Sequence, residues 1–255
     1  MIYYIACKHR ALGVQLTYFP GELARKVRLI AYDDLFAREV LPGGTYIFAD
    51  FDRMPADQFP KLCRLWDAFD ETNADIRRIN DPRRVLQRFA LLRRLYELGI
   101  NDFNVYRFED WKQVRQFPVF IRKEKHQKAP LTGLLPDRAS LEKAIAKLDK
   151  VAGRGDLLIV EFCKGVYEGG RYRKYGAFRV GDVCYVQHLY ASEHWYVKSG
   201  TAEITDAQVA ESREYRRRNP HAEQIRTIFD IAGIEYGRMD YGVVGDRIQV
   251  FEVNT

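Results

Sequence analysis

The chain has 255 residues, 47% of them hydrophobic and 30% charged, with 16 Tyr, 15 Phe and 3 Trp. That balance excludes a disordered tail, a fibre and a disulfide scaffold, and it supplies apolar volume for one large or two small cored domains. The net charge of +6, from 41 basic against 35 acidic residues, admits nucleic acid as a partner and suits a phosphate-bearing small molecule equally well.

No segment approaches the roughly 18 apolar residues of a membrane helix, so no membrane partner is expected. Met1 to Cys7 is apolar but lacks a basic leader and meets Lys8-His9-Arg10 at once, so it reads as a first strand and not as a signal peptide. Val27 to Tyr32 and Thr45 to Ala49 read as further strands, and Asp57 to Asp70 places Phe59, Leu62, Leu65, Trp66 and Phe69 at helical spacing. Asp81 and Pro82 look like the N-cap and first turn of a helix that carries Val85, Leu86, Phe89, Leu92, Leu95 and Tyr96 to a stop at Gly99. Strands follow at Asn104 to Phe108 and Phe117 to Lys123, with a short helical stretch from Asp110 between them. Ser140 to Val151 reads as a helix, and Asp156 to Cys163 as a buried strand. Gly169-Gly170-Arg171 marks a turn, Arg173 to Val180 and Val183 to Tyr190 form a hairpin about Gly181-Asp182, and helices are expected near 206 to 217 and 221 to 232. A last hairpin runs from Glu235 to Asn254. Four scattered cysteines, at 7, 63, 163 and 184, have neither zinc spacing nor a disulfide pattern, so a reducing cytoplasm is the expected location.

The last hairpin carries the most chemistry. Strand alternation sets Glu252 and Asn254 on one face with Ile248 and Val250. A three-residue loop, Gly245-Asp246-Arg247, would bring Asp240 opposite Glu252, whereas a two-residue turn would bring it opposite Phe251; the three-residue loop is predicted. Opposed carboxylates repel unless a cation lies between them, and oxygen ligands from Asp, Glu and Asn suit magnesium, with manganese admissible.

The order Asp240, Glu252, Asn254 resembles the magnesium triad of the ATP-grasp superfamily of carboxylate-amine ligases, which includes ribosomal-protein glutamate ligases and glutathione synthetases. The resemblance covers roughly residues 80 to 255 and implies an α+β fold. Residues 1–79 would form a small α/β domain ahead of the grasp, 80–163 its first subdomain and 164–255 its second, with the metal-binding hairpin. It further implies ATP and Mg²⁺ as cofactors, and as partners a carboxylate and an amine or other nucleophile that are joined through an acylphosphate.

By the same resemblance Arg122 and its neighbour Lys123 stand where the family's strand-end lysine touches ATP phosphates, and Arg88 where another nucleotide-contacting lysine is common. A glycine-rich lid is expected after that strand, yet Lys125 to Gly133 keeps a single glycine. Glu161 corresponds to the acidic side chain that holds adenine and ribose, with Phe162 and Cys163 supplying backbone contacts. Lys174 and Arg179 are basic positions directed at the cleft, Gln187 to Lys198 covers substrate and phosphate contacts, and Arg238 would stabilise the acylphosphate. In the family the final strand runs on past the position of Thr255.

Other readings stay open. Arg122 and Lys123 also fit as charges at a strand end, and Arg88 as one of several solvated arginines of its helix. Lys174 and Arg179 lie five positions apart, on opposite faces of an ideal strand, so one of them is expected to be structural. The two Arg-for-Lys changes leave room for a nucleotide-binding regulatory relative with weak turnover. The run Arg213, Arg216, Arg217, Arg218 reads as a solvated helix face before a nucleic-acid patch, and nucleic acid is disfavoured as a partner.

Overall fold

The computed structural model describes residues 1–7, 21–71, 75–125, 129–149, 154–164, 167–198 and 205–255. The segment Lys8-His9-Arg10, residues His126 to Lys128 of the expected lid, and Val151 at the expected end of a helix lie outside them.

The N-terminal part is a parallel sheet of β1 (Ile2–Ala6), β2 (Val27–Ala31), β3 (Gly44–Phe48) and β4 (Ile76–Ile79) in the order β2-β1-β3-β4. Two one-turn helices, α1 (Glu22–Lys26) and α2 (Tyr32–Phe36), and a longer α3 (Phe59–Ala68) complete it. Leu62 and Trp66 of α3 are buried against Phe48 and Phe69, as a helical stripe of apolar residues requires. Strand β4 has no apolar pattern to announce it, because two of its four residues are arginines. Arg78 is nevertheless sheltered, its guanidinium lying 4.8 Å over the Trp66 ring and its nitrogens bonded to Trp66 O and Asp70.

The expected helix from Asp81 begins later. Asp81 opens a turn that its carbonyl closes by accepting from Arg84 and Val85, and α4 (Arg88–Glu97) starts after Gln87. An N-cap residue and a proline initiate a turn as readily as a helix, so their presence alone does not locate a helix start. A second, antiparallel sheet has the order β5-β7-β6, from β5 (Val105–Arg107), β6 (Val119–Lys123) and β7 (Leu157–Glu161). Helix α5 (Arg138–Leu148), capped by Asp137 accepting from Ser140 N, covers it with Leu141 and Ile145.

The third sheet is built from β9 (Arg171–Val180), β10 (Val183–Ser192), β11 (Tyr236–Val244) and β12 (Arg247–Asn254). Their order is β10-β9-β11-β12, with the short β8 (Tyr167–Glu168) paired to β9. Helices α6 (Asp206–Arg218) and α7 (Ala222–Ala232) cover one face, where Ile225, Ile228 and Phe229 pack on Ala177, Met239, Tyr241, Ile248 and Val250. Odd-numbered residues of β9 and β11 therefore face these helices, and even-numbered ones face the other side. Among the described residues no helix is long and apolar enough to cross a membrane.

Two irregularities shape that other side. In the β11/β12 hairpin Val244 pairs with Arg247, so the loop is the two-residue Gly245-Asp246 and not the three-residue loop expected. Asp240 still meets Glu252, because Tyr241 pairs with Val250 and Phe251 is inserted as a bulge. The bulge also breaks the expected common face: Ile248 and Val250 enter the core beneath the helices, while Glu252 emerges on the opposite side. A second bulge, at Gln187 of β10, sets His188 opposite Gly176.

The N-terminal and C-terminal sheets are joined through Asn80, which is fully buried with φ +70. Its amide donates to Phe48 O of β3 at 2.8 Å and Tyr236 O of β11 at 2.9 Å, and accepts from the backbone N–H groups of Glu235 and Tyr236 at 2.8 and 3.0 Å. Each buried group left without its partner costs roughly 1–3 kcal/mol, so Asn80→Ala is expected to lower the unfolding free energy by about 3 kcal/mol or more. Urea titration checks this, and a loss below about 1 kcal/mol would contradict the assignment.

Candidate functional site

Between the second and third sheets lies a cleft of about 490 Å³, within the size range of small-molecule and cofactor sites. One end is apolar and aromatic. Phe120 of β6, Phe162, Tyr172 of β9 and Trp195 gather there, with Trp195 5.1 Å from Phe120 and 5.8 Å edge-on from Phe162, and Tyr172 5.9 Å from Phe162. Leu92, Phe103, Val160, Val197 and the bulged Phe251 complete the lining. The arrangement is a slot suited to a flat ring, closed by tilted and edge contacts.

The other end is charged. Asp240, 3% exposed, stands opposite Glu252 across the strand pair. Lys174 of the adjacent strand reaches Asp240 Oδ2 at 3.1 Å, and Arg238 Nε lies 3.3 Å from Oδ1 without hydrogen-bond geometry. Glu252 Oε2 accepts from Arg88 at 2.6 Å and from Arg122 at 3.2 Å, while Asn254 Nδ2 approaches Oε1 at 3.4 Å. Four cations thus face two carboxylates at this end. Such a pocket favours an anion, and most strongly a polyphosphate.

Burial sets the ionisation of this group. It pushes Asp240 up, against the pull of Lys174. It acts the same way on Glu252, but Arg88 and Arg122 overrule it and hold that carboxyl down to about 2. Burial, followed by the nearby Arg88, lowers Arg122, and Glu252 opposes the shift. Several buried polar atoms at this end lack hydrogen-bond partners: Arg88 Nε, Arg122 Nε, Arg238 Nε, Asp240 Oδ1 and His188 Nε2. Buried polar groups are normally satisfied, so their concentration here points to a polar ligand. The oxygen donors of Asp240, Glu252 and Asn254 fit a magnesium ion in type, and Asp240 Oδ1 makes no hydrogen bond within the protein.

The other residues singled out in the sequence take different places. Arg122 lines the cleft and Arg88 lies buried behind it; each is bonded to Glu252, and Arg88 also donates to the carbonyls of Lys123 and Glu124. Lys123 is exposed at the strand end and is not part of the cleft wall. Glu161 lines the cleft, but its carboxylate is occupied from within: it accepts from Asn104 N and Tyr106 OH, both at 2.8 Å, and from Gln116 N at 3.1 Å. Phe162 and Cys163 follow it along the wall. Lys174 lies in the cleft, whereas Arg179 faces the helices and pairs with Asp230 of α7. Within the expected lid, residues 129–133 turn back on β6, where Leu131 N donates to Ile121 O at 2.8 Å and Thr132 Oγ1 accepts from Ile121 N at 3.0 Å. In the basic run of α6, Arg217 and Arg218 pair with Glu214 of the same helix, as on a solvated face.

Sequence reading missed Phe120, Tyr172 and Phe251 as cleft residues. It also missed Glu124, a buried carboxylate that accepts from Phe89 N at 3.1 Å and pairs with Arg107. A buried acid after an apolar strand was the available signal for Glu124. His188 belongs to the Gln187 to Lys198 segment expected to contact substrate and phosphate, and its spacing from His126 and His194 does not suit a metal. Its ring lies over Gly176, where a Cβ would come within 2.3 Å of it, and stacks on Tyr190 at 4.3 Å.

Structural comparison places the chain beside several solved proteins. D-alanine–D-alanine ligase from Bacillus anthracis, in a complex with ATP, superposes with a TM-score of 0.57 at 12% identity, over 100% of this chain and 86% of that one. A RimK domain protein ATP-grasp from Sphaerobacter thermophilus gives 0.54 at 15% identity, over 99% and 89%. The macrocyclase MdnC from Microcystis aeruginosa, bound with its precursor peptide MdnA, gives 0.52 at 11% identity, over 100% and 91%. No protein-family model matches the sequence, and no curated protein matches it.

Burial, then Lys174 and Arg238, push His188 from 6.5 down to about 4. The unfolded chain accordingly binds a proton between those values that the folded chain does not, so this contribution to stability is full above pH 6.5 and is lost as pH falls toward 4. His188→Gln is expected to flatten the fall in unfolding free energy across that window. Parallel pH profiles for variant and parent would contradict it.

Proposed function

Because the chain has the ATP-grasp fold, we propose that it is an ATP-dependent ligase that joins a carboxylate to an amine or similar nucleophile through an acylphosphate. The observation that carries the reading is the opposed pair Asp240 and Glu252 beneath four cations, at one end of a cleft whose other end is an aromatic slot.

On this reading the adenine lies among Phe120, Phe162, Tyr172, Trp195 and Phe251, with backbone groups of Phe162 and Cys163 beside it. The Glu161 carboxylate, bonded to Asn104, Tyr106 and Gln116, fixes the strand end that carries them. Arg122 and Lys174 orient the phosphates and offset their charge, and Arg88 keeps Glu252 ionised. Asp240, Glu252 and Asn254 would hold magnesium, and manganese suits the same oxygen set. When bound, the ion supplies charge compensation for the phosphate oxygens.

The reaction is balanced without a protein nucleophile. A substrate carboxylate oxygen attacks the γ-phosphorus, the bond to the β-phosphate oxygen breaks and ADP leaves. The amine then attacks the acyl carbon, inorganic phosphate departs, and the amine proton passes to solvent. Arg238, whose Nε is buried without a hydrogen-bond partner beside Asp240, is positioned to stabilise the acylphosphate oxygens.

A regulatory relative with weak turnover is the second reading. The pairing of Arg88 and Arg122 with Glu252 favours it, since two arginines then compete with a cation for that carboxylate. Incubation with Mg-ATP, hydroxylamine and a panel of carboxylates separates the two. A ligase releases ADP and forms a hydroxamate with at least one carboxylate, and Lys174→Met lowers that rate by about 10²–10³, as the loss of a preorganised charge contact does. Mg-ATP binding without ADP release would support the regulatory reading, and the absence of both would contradict the nucleotide assignment.

A further inference from the structure

Beyond Asp240 the cleft-side face of the third sheet continues for two more rows of side chains. Asp240, Gly176 and His188 are aligned across β11, β9 and β10; next come Arg238, Phe178 and Tyr185, and then Tyr236, Val180 and Val183. Alternation assigns these rows to the cleft side, because Tyr175, Ala177, Met239 and Tyr241 between them pack toward the helices. Phe178 and Tyr185 confirm the shared face by stacking at 5.8 Å with 10° between their planes. Tyr4 of the first strand meets Tyr236 edge-on at 5.6 Å, so the N-terminal sheet borders the far end.

This surface is unusually apolar for one open to water. Tyr185 is 44% exposed, Val180 40% and Val183 62%, on adjoining residues of two neighbouring strands. Contiguous exposed apolar surface of this kind marks a binding site more often than bare exterior, and β10 is moreover an edge strand, where such residues invite unwanted pairing. At its inner margin stands Arg238, with its buried, unbonded Nε. Arg179, the other basic residue of this part of the sheet, lies on the opposite face with Asp230. The combination sets Arg238, the cation nearest these rows, at the reaction end of an aromatic and aliphatic apron. A small polar carboxylate, such as a free acidic amino acid, would satisfy Arg238 and leave the apron wet. A carboxylate on an apolar body satisfies both, and Arg238, which lines the cleft beside Asp240, sets its carboxyl group at the phosphoryl end.

We propose that the acyl substrate of this protein is a carboxylate borne on an apolar body of aromatic size, held by its carboxylate at Arg238 and laid over Phe178, Tyr185 and Val180. The proposal rests on the ligase reading above and adds its substrate class. Tyr185 and Val183 are specificity-determining positions, while Arg238 orients the reacting group.

Calorimetric titration tests it, with 4-phenylbutyrate and glutamate as probes and Mg-ATP titrated separately, on the parent chain and on Tyr185→Ser and Val183→Ser. Both substitutions are at exposed sites and leave the cores untouched. 4-Phenylbutyrate is expected to bind at least about tenfold more tightly than glutamate, and Tyr185→Ser to weaken it by about tenfold through lost apolar contact, with Mg-ATP affinity unchanged. In the hydroxamate assay the same variant should raise KM for 4-phenylbutyrate and keep kcat, a split that general loss of folding would not produce. Mg-ATP binding accompanied by tighter glutamate binding, or by 4-phenylbutyrate binding indifferent to both variants, would overturn the substrate class alone. Failure of Mg-ATP to bind would overturn the ligase reading and this role with it.

Discussion

The pairing of Asp240 with Glu252 depends on the bulge at Phe251, between Val250 and Glu252 of β12. Without the bulge, a regular ladder behind the two-residue turn would set Asp240 opposite Phe251 and leave Glu252 on the face that carries Ile248 and Val250, beneath α6 and α7. With it, one strand serves two surfaces. Its first half seals an apolar core, and its second half delivers a carboxylate to the cleft. Phe251 itself joins the apolar lining of that cleft, so the bulge supplies ring contacts and charge geometry together. Gly237 permits the same close approach at the strand ends, since a Cβ there would lie 2.7 Å from Asn254 O and 2.9 Å from a methyl of Ile234.

Two buried carboxylates brought face to face are tolerated only with compensation, which here arrives from four separate elements. Lys174 comes from β9, Arg238 from β11, Arg122 from β6 and Arg88 from α4. Glu252 thereby ties the second sheet to the third, because both Arg88 and Arg122 converge on one of its oxygens. Buried ion pairs of this kind contribute little net stability, yet removing one member strands the others. The cations and the unpartnered nitrogens find a natural complement in phosphate oxygens. The aromatic end needs no charge, so on the proposed reading one cleft distinguishes the two ends of a nucleotide.

Much of this order was legible in the residues, and the exceptions have physical causes. Most strands, the helices of the third sheet and the hairpin about Gly181-Asp182 follow periodicity and turn chemistry. Strands β4 and β8 did not; in β4, Arg77 and Arg78 interrupt the pattern, and Arg78 is sheltered by Trp66 and Asp70, in other elements. The opposition of Asp240 and Glu252 was anticipated through a longer loop, whereas the chain reaches it with a shorter loop and a bulge. A bulge leaves no mark that alternation can detect. Arg88 and Arg122 were legible as cationic positions, but their common partner was not, since it lies 164 and 130 residues away. The aromatic slot was hidden for the same reason, being assembled from Phe120, Phe162, Tyr172, Trp195 and Phe251 in separate segments.

The central claim is that Asp240, Glu252 and Asn254 form one metal-nucleotide site at the charged end of the cleft. Electron paramagnetic resonance of Mn²⁺ titrated with ADP into the parent chain and into Asn254→Ala tests it most directly, because Asn254 is the one member of the set that carries no charge into the ion-pair network. The account predicts a bound Mn²⁺ signal in the parent that requires ADP and is strongly weakened in the variant. A signal of equal strength in both chains, or bound Mn²⁺ without any need for ADP, would contradict it.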